Sequence, residues 1–411
     1  MHIRLQQLGA DWRCSLIRRN NQRSAFTITF NTTEDCNLAC KYCYETNKKR
    51  KTMDISTARK FIDIILTDED PCRINSLKDN RIEWLYDSIT LDFIGGDSLM
   101  QPQLLDKILS YWIGRVYSLD TPNTRKWRHD WRASISSNGT LFANPEVRAF
   151  IDDWLPVLSI GVSIDGCPQI HDENRVFVDG SPSMPVIMRW WDWYRQRFPQ
   201  DSRTTKATCS RNSIPYLYNS LKFMHEDMGI NWINQNFIME DSGSTNKDYD
   251  ELRRQMEMCV DYVYQHKDDL YWSMIDRDNF AMAHRSEGDD WEKKGHCGSG
   301  TMPALGIDGR IYPCFRFLPH TQETESPVIC GDVDRGMYNK KAFKTVCEAA
   351  YRVNCTTKDE CLNCDCESGC TYCIAGCYSE YGEFKRQTYI CQITQIQVEF
   401  ARKYWSMIEG E

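Results

Sequence analysis

The 411-residue chain is 41% hydrophobic and 26% charged, the balance of a globular domain rather than a disordered or fibrous one. Its formal net charge of -8, from 58 acidic and 50 basic residues, argues against a surface built for nucleic acid. No run approaches the roughly 18 apolar residues of a spanning helix, and the first 19 residues lack an apolar signal core, so a cytoplasmic protein without a membrane partner is expected.

From residue 24 to about 238, short β-rich runs alternate with amphipathic stretches. Strands are expected at Ala25–Phe30, Ile89–Ile94, Ala133–Ser136, Leu158–Ile164, Thr205–Thr208 and Trp232–Ile238, and read as apolar parallel strands buried on both faces. Ala58, Phe61, Ile62, Ile65 and Leu66 recur at helical spacing, as do Leu105, Ile108 and Leu109 after Pro102. This alternation predicts an α/β fold, a partial (β/α)6 TIM-type barrel, since six units are too few for a closed eight-stranded one. Asp241–Asp250 reads as a polar linker, and helical sequence follows around Leu252, Met256, Cys259 and Val263. Arg285–Gly295 reads as a charged loop. From His296 the helical periodicity gives way to cysteine-rich, turn-rich sequence. The expected organisation is a barrel over 1–240, a bridging helical region over 241–295 and a cysteine-rich domain of β-hairpin and short helices over 296–411.

Twenty cysteines are unlike a reduced cytosolic protein unless they bind metal, because a disulfide framework is not expected there. Twelve fall between Cys297 and Cys391. Zinc is the plain alternative, since its sites also use paired cysteines. Immediately after the first strand, Cys36, Cys40 and Cys43 form a C-x3-C-x2-C motif. Three thiolates on a tight loop suit three irons of a [4Fe–4S] cube and leave the fourth iron open to an outside ligand. The second strand ends in Gly95-Gly96-Asp97-Ser98, and the third runs into Ser136-Ser137-Asn138-Gly139. After the fourth come Ser163-Ile164-Asp165-Gly166 and then His171, Asn174 and Arg175.

Together with Tyr42, these strand ends resemble the radical S-adenosylmethionine (SAM) superfamily. The resemblance implies SAM as cofactor, with one [4Fe–4S] cluster on Cys36, Cys40 and Cys43. It implies SAM contacts at Tyr42, Gly95, Gly96, Asp97, Ser98, Ser136, Asn138, Asp165 and Arg175, the last against the SAM carboxylate. The family carries Glu-Pro where this chain has Asp97-Ser98, so the acidic contact is shorter and a proline kink is lost.

Asp308-Gly309 marks a hairpin between Cys297 and Cys314. Downstream lie Cys361-x2-Cys364-x5-Cys370, Cys373-x3-Cys377 and Cys391. This pattern is similar to the SPASM domain and implies two auxiliary [4Fe–4S] clusters. The hairpin pair with a late cysteine would hold the first, and the C-x2-C pair, a middle cysteine and the last cysteine the second. One cysteine is in excess: spacing selects Cys370 with Cys377 joining the first cluster, whereas the Ala-Gly-Cys ending selects Cys373 with Cys377. No fourth ligand for the first auxiliary cluster stands out, so that cluster is expected to have an open site. Cys330, Cys347, Cys355 and Cys366 read as ordinary thiols.

The resemblance implies a peptide-modifying enzyme that installs a thioether or carbon–carbon crosslink in a ribosomally made precursor peptide. A flavodoxin or ferredoxin would supply electrons. The runner-up is a sulfatase-maturating enzyme making formylglycine, but Phe315 follows Cys314 where those enzymes carry an aspartate. No catalytic acid or base is assigned. A third reading, of another class, is a non-catalytic iron–sulfur or zinc protein that transfers electrons. Only 35 residues precede Cys36, short of the about 80 a leader-binding winged helix needs, so leader recognition is expected elsewhere or on a separate protein. Asn234, Gln235 and Asn236 are polar on the sixth strand, and at least one is expected to face the lumen.

Overall fold

The computed structural model describes residues 25–67, 88–199, 204–277, 280, 299, 302–324, 326–349, 364, 366, 370 and 372–410. Arg285–Gly295, Cys297, Cys355 and Cys361 lie outside the described residues, as does the side chain of Cys347.

Alternation organises the sheet from its first strand. In β1 (Ala25–Thr33), Phe26, Ile28 and Phe30 share one face and Thr27, Thr29 and Asn31 the other. Parallel pairing carries this division across β2 (Ser88–Gly95), β3 (Trp131–Ser137) and β4 (Leu158–Val162). Thr29 registers with Asp92, Asp92 with Ser134, and Ser134 with Ser159. The apolar face packs under helices α1 (Ile55–Thr67), α2 (Pro102–Ser118) and α3 (Pro145–Trp154) in a core holding Phe61, Phe93, Trp112 and Ile151. Phe30 lies 5.4 Å from both Phe61 and Phe93, ring centre to ring centre. The six expected strands are present, but the expectation of apolar residues on both faces is corrected. One face is polar because it walls a cavity.

Two helices follow β4, α4 (Pro168–Asn174) and α5 (Met184–Arg197). The fifth and sixth runs are each broken in two. β5 (Thr204–Thr205) and β7 (Trp232–Ile233) continue the main sheet, whereas β6 (Ala207–Cys209) and β8 (Gln235–Phe237) pair with each other in a separate two-stranded sheet. At the break, Asn234 O accepts Ala207 N–H at 2.8 Å and Asn234 Nδ2 donates to Thr204 Oγ1 at 2.7 Å. The expected linker is shorter than 241–250, because α6 starts at Asn246 and runs to Gln265. Asp248 accepts both the N–H and the hydroxyl of Thr245 at 2.7 Å, so Thr-x-x-Asp starts the helix inside the polar run.

A short strand β9 (Tyr271–Trp272) adds in parallel to β7. Around Asp308-Gly309 the expected hairpin forms from β10 (Ala304–Leu305) and β11 (Arg310–Tyr312), with Gly309 at φ +78°. β10 also pairs in parallel with β1, and β11 pairs with β12 (Gly331–Asp332). The cysteine-rich region therefore extends the sheet itself, in the order β12-β11-β10-β1-β2-β3-β4-β5-β7-β9. Beyond it lie a helix at Lys340–Ala349 and then α7 (Ile374–Tyr381) and α8 (Cys391–Glu409). At 19 residues, α8 corrects the expectation of short helices after His296: Ile393, Ile396, Phe400, Ala401 and Tyr404 are buried at helical spacing within the main core. No helix among the described residues is long and apolar enough to cross a membrane.

Gly114 lies inside α2, and a Cβ there would meet nothing within 4 Å. Gly114→Ala is expected to stabilise the protein by about 0.5–1 kcal/mol through helix propensity alone, read as a higher denaturant midpoint.

Candidate cofactor and active site

Cys36, Cys40 and Cys43 lie on the loop leaving β1, and three strand ends clamp that loop. From β2, Gly96 N–H donates to Thr33 O and Asp97 N–H to Asp35 O, both at 2.9 Å. The approach leaves no room for side chains: a Cβ on Gly95 would sit 2.0 Å from Thr33 O, and one on Gly96 2.1 Å from Asp35 O and 2.9 Å from Cys36 Cβ. From β3, Asn138 Nδ2 donates to Asn37 Oδ1 and Asn37 Nδ2 to Thr140 Oγ1, both at 2.8 Å. Beyond β4, Ala39 N–H donates to Val176 O at 2.8 Å and Lys41 N–H to Asn174 O at 3.0 Å.

The loop opens onto a cavity of ≈ 910 Å³. Cys36, Cys40, Cys43 and Tyr42 form one part of its wall, beside Gly95, Gly96, Ser136, Asn138 and Arg175. The polar face of the sheet contributes Asp92, Lys206, Thr208 and Asn236, and the C-terminal region contributes Cys314, Arg316 and Cys373. The size suits a small-molecule cofactor together with part of a substrate. Of the three amides on the sixth strand, Asn236 faces this space, while Gln235 is buried and accepts Trp272 Nε1–H at 2.9 Å.

Three expected contact residues stand behind the wall instead of on it. Asp97 is buried, with Leu99 N–H on one carboxylate oxygen at 3.0 Å and the Ser137 hydroxyl and Asn138 N–H on the other at 2.9 and 2.8 Å. Burial pushes its carboxyl up to about 6 against the pull of those donors. Ser98 accepts the Thr32 hydroxyl at 3.0 Å. Asp165 receives Arg175 Nε–H at 3.0 Å, Thr208 N–H at 3.0 Å and the Tyr42 hydroxyl. It thereby aims two cavity residues, and the Arg175 guanidinium also lies over the Tyr42 ring, 5.4 Å from its centre. The Arg175 side chain is only 10% exposed, so it is not a solvated surface arginine. His171, held near pKa 4 by burial, accepts Asp165 N–H through Nδ1 at 3.3 Å and is a neutral structural group.

Electrostatics at the thiols follows the same burial. Cys36 is pushed up to about 12 and Cys40 is also raised, in both cases chiefly by desolvation. Two donors point at the Cys36 sulfur, Leu38 N–H at 3.4 Å and Asn138 Nδ2 at 3.9 Å. In the C-terminal region Ser299 donates to Cys314 Sγ at 3.2 Å, and Cys373 caps α7 by accepting Gly376 N–H at 3.4 Å. Cys364, Cys370, Cys377 and Cys391 do not line the cavity. Cys391 is the first residue of α8, and Cys377 is fully buried.

Sequence reasoning missed Asp92, Lys206, Tyr44 and Arg316. Burial raises Asp92 above the ordinary carboxylate range, opposed by Lys206, whose amine donates to Ser136 Oγ. A signal for these two was present: Ser88-x-Thr90-x-Asp92 and Thr204-x-Lys206-x-Thr208 put polar side chains at alternate positions, the mark of a strand face that meets solvent or ligand.

No protein-family model matches the chain. An uncharacterized protein of Methanocaldococcus jannaschii is 27% identical over 197 residues, 48% of this chain and 57% of that protein. The serine-type anaerobic sulfatase-maturating enzyme of Bacteroides thetaiotaomicron is 28% identical over 162 residues, 38% of this chain and 32% of that enzyme. The matches thus span little more than half and about a third of these curated relatives. Among solved structures, anSMEcpe with bound AdoMet and Kp18Cys peptide has a TM-score of 0.67 at 15% identity, covering 94% of this chain and 100% of its own. Streptococcus suis SuiB bound to precursor peptide SuiA has a TM-score of 0.55 at 14% identity, covering 93% and 80%. The chain shares the fold of these solved structures over nearly its whole length.

Two substitutions test the geometry without any ligand. Gly96→Ala is expected to destabilise the protein by at least about 1–3 kcal/mol, because the Asp35 backbone and the Cys36 Cβ face the new methyl group and neither can swing away. Asp165→Asn is expected to cost about 3–5 kcal/mol by leaving Arg175 buried without its counter-charge. Denaturant titration reads both, and wild-type midpoints for either variant would contradict the clamp.

Proposed function

We propose that the chain is a radical SAM enzyme that modifies a peptide, with its SAM-cleaving cluster on Cys36, Cys40 and Cys43. The observation that supports this reading is one cavity lined by those thiols, by Gly95, Gly96, Ser136 and Asn138, and by Cys314 and Cys373.

The residues present fit the implied groups. Buried thiols as hard to ionise as Cys36 become thiolates when a metal takes the place of the proton. Among the described residues no group of three side chains converges on a single metal ion. The C-x3-C-x2-C arrangement of three thiols suits a cube, where each cysteine takes its own iron. The Gly95-Gly96 backbone, Ser136, Asn138 and Arg175 would receive SAM, Arg175 taking the carboxylate. Asp97 and Asp165 would act through their neighbours: Asp97 holds the Ser137–Asn138 turn, and Asp165 aims Arg175 and Tyr42. Bound SAM and iron–sulfur would supply a 5′-deoxyadenosyl radical that removes a substrate hydrogen. The C-terminal cysteines, including Cys297, Cys361, Cys364, Cys370, Cys377 and Cys391, would hold two auxiliary clusters. A donor of the flavodoxin or ferredoxin class would reduce the loop cluster, and the reaction would run in the cytoplasm. Leader recognition would fall to another surface or a separate protein.

Between the two peptide chemistries, crosslink formation is favoured. Phe315 occupies the position after Cys314, its ring 6.1 Å from that of Tyr44, and brings no carboxylate to that wall. Formylglycine formation is the second reading, supported by the likeness to sulfatase-maturating enzymes. It would need another base, and Asp92 is a carboxyl of the cavity wall suited to take a proton.

Anaerobic reconstitution is expected to load about twelve irons per chain, and dithionite with SAM to release 5′-deoxyadenosine. Zinc in place of iron, or no 5′-deoxyadenosine, would overturn the proposal. Changing Cys36, Cys40 and Cys43 together to alanine is expected to abolish SAM cleavage while roughly eight irons remain. Loss of all iron would contradict separate cluster sites.

A further inference from the structure

Arg316 stands where three parts of the molecule meet. It follows Cys314 by two residues in the turn Phe315–Phe317. Its guanidinium lies over the ring of Tyr44, one residue past Cys43, at 4.3 Å from the centre. Nη2 donates to Glu240 Oε1 at 2.6 Å, just beyond β8. The side chain is 15% exposed while Glu240 is 51% exposed, so a withdrawn cation is paired with a hydrated anion.

The backbone of this turn is tied to the start of α7. Gln322 Nε2 donates both to Arg316 O and to Ala375 O, two residues after Cys373. Phe315, Phe317, Cys314, Ala375 and Cys373 pack in one apolar cluster. Burial works against the guanidinium charge. A guanidinium nonetheless stays charged in proteins, and Glu240 is its paired counter-charge. A fixed positive charge therefore faces the cavity between the first cysteine motif and Cys373.

We propose that Arg316 is a positioning residue for electron transfer, whose charge raises the reduction potential of the auxiliary cluster held by Cys314. Reduction adds one negative charge to a cluster, and a cation held nearby at low dielectric stabilises that added charge. Glu240 opposes this effect. The pair sets how readily the cluster takes one electron from a substrate-derived radical, which is oxidised by one as the cluster is reduced by one. The inference rests on the reading that the C-terminal cysteines hold iron–sulfur clusters.

The test uses the full chain with Cys36, Cys40 and Cys43 changed to alanine, so that only auxiliary clusters remain, and follows their reduction by potentiometric titration with electron paramagnetic resonance. Arg316→Gln is expected to shift one of the two midpoint potentials negative, by about tenfold in the reduction equilibrium, or about 59 mV for a one-electron couple. The other midpoint should stay in place, with unchanged iron content. Arg316→Lys should restore most of the shift, and Glu240→Gln should move the same midpoint positive. An unmoved midpoint in Arg316→Gln, or equal shifts in the glutamine and lysine variants, would overturn the inference while leaving the clusters established. Absence of iron from the triple-alanine chain would reject the auxiliary-cluster reading itself, and the inference with it.

Discussion

The site depends on backbone meeting backbone at the ends of β1 and β2. Two consecutive glycines let the second strand's exit lie directly against Thr33 and Asp35, with amide hydrogen bonds in place of side-chain contacts. That contact holds the first thiol of the motif against Gly96, while Asn138 and the segment after Arg175 close the loop from the other sides. The cysteine loop is thereby pre-shaped, and little ordering would remain to be done for a ligand. The glycines that suggest ligand approach in the sequence serve first to bring two chain segments together.

The same strands explain how one sheet supports a core and a reactive space. Phe26, Ile28 and Phe30 belong to the helix-covered face, and Thr27, Thr29 and Asn31 belong to the other, so a single alternation decides both. Short hydroxyl side chains leave volume, and the charges of Asp92 and Lys206 are admitted because that face opens into the cavity. Acidic groups behind the wall act indirectly. Asp97 and Asp165 each gather several donors, and their value lies in fixing Asn138, Arg175 and Tyr42.

Much of this was legible in the sequence because local rules and fold agree. Strand positions followed from short β-branched runs, the hairpin from Asp308-Gly309, and the cavity-lining loop from three cysteines after the first strand. What failed had physical reasons. The start of α6 was hidden because its Thr245–Asp248 cap is itself polar and resembles linker. The long α8 was overlooked because cysteine spacing dominated a segment whose apolar residues also recur at helical intervals. Asp97 was expected at the cofactor; its short side chain reaches Ser137 and Asn138 instead. Arg316 and Tyr44 lie far apart in sequence and only folding stacks them.

The pairing of β10 with β1 has a consequence for how the chain protects itself. β1 is central only because a strand from the cysteine-rich region covers its outer side. Without that strand, part of its run of amide and carbonyl groups would be an open edge, the kind of surface that recruits strands from other molecules. The cysteine-rich region is thus a guard against self-association as well as a carrier of thiols. A chain interrupted before that hairpin would present a sticky seam beside its own reactive loop.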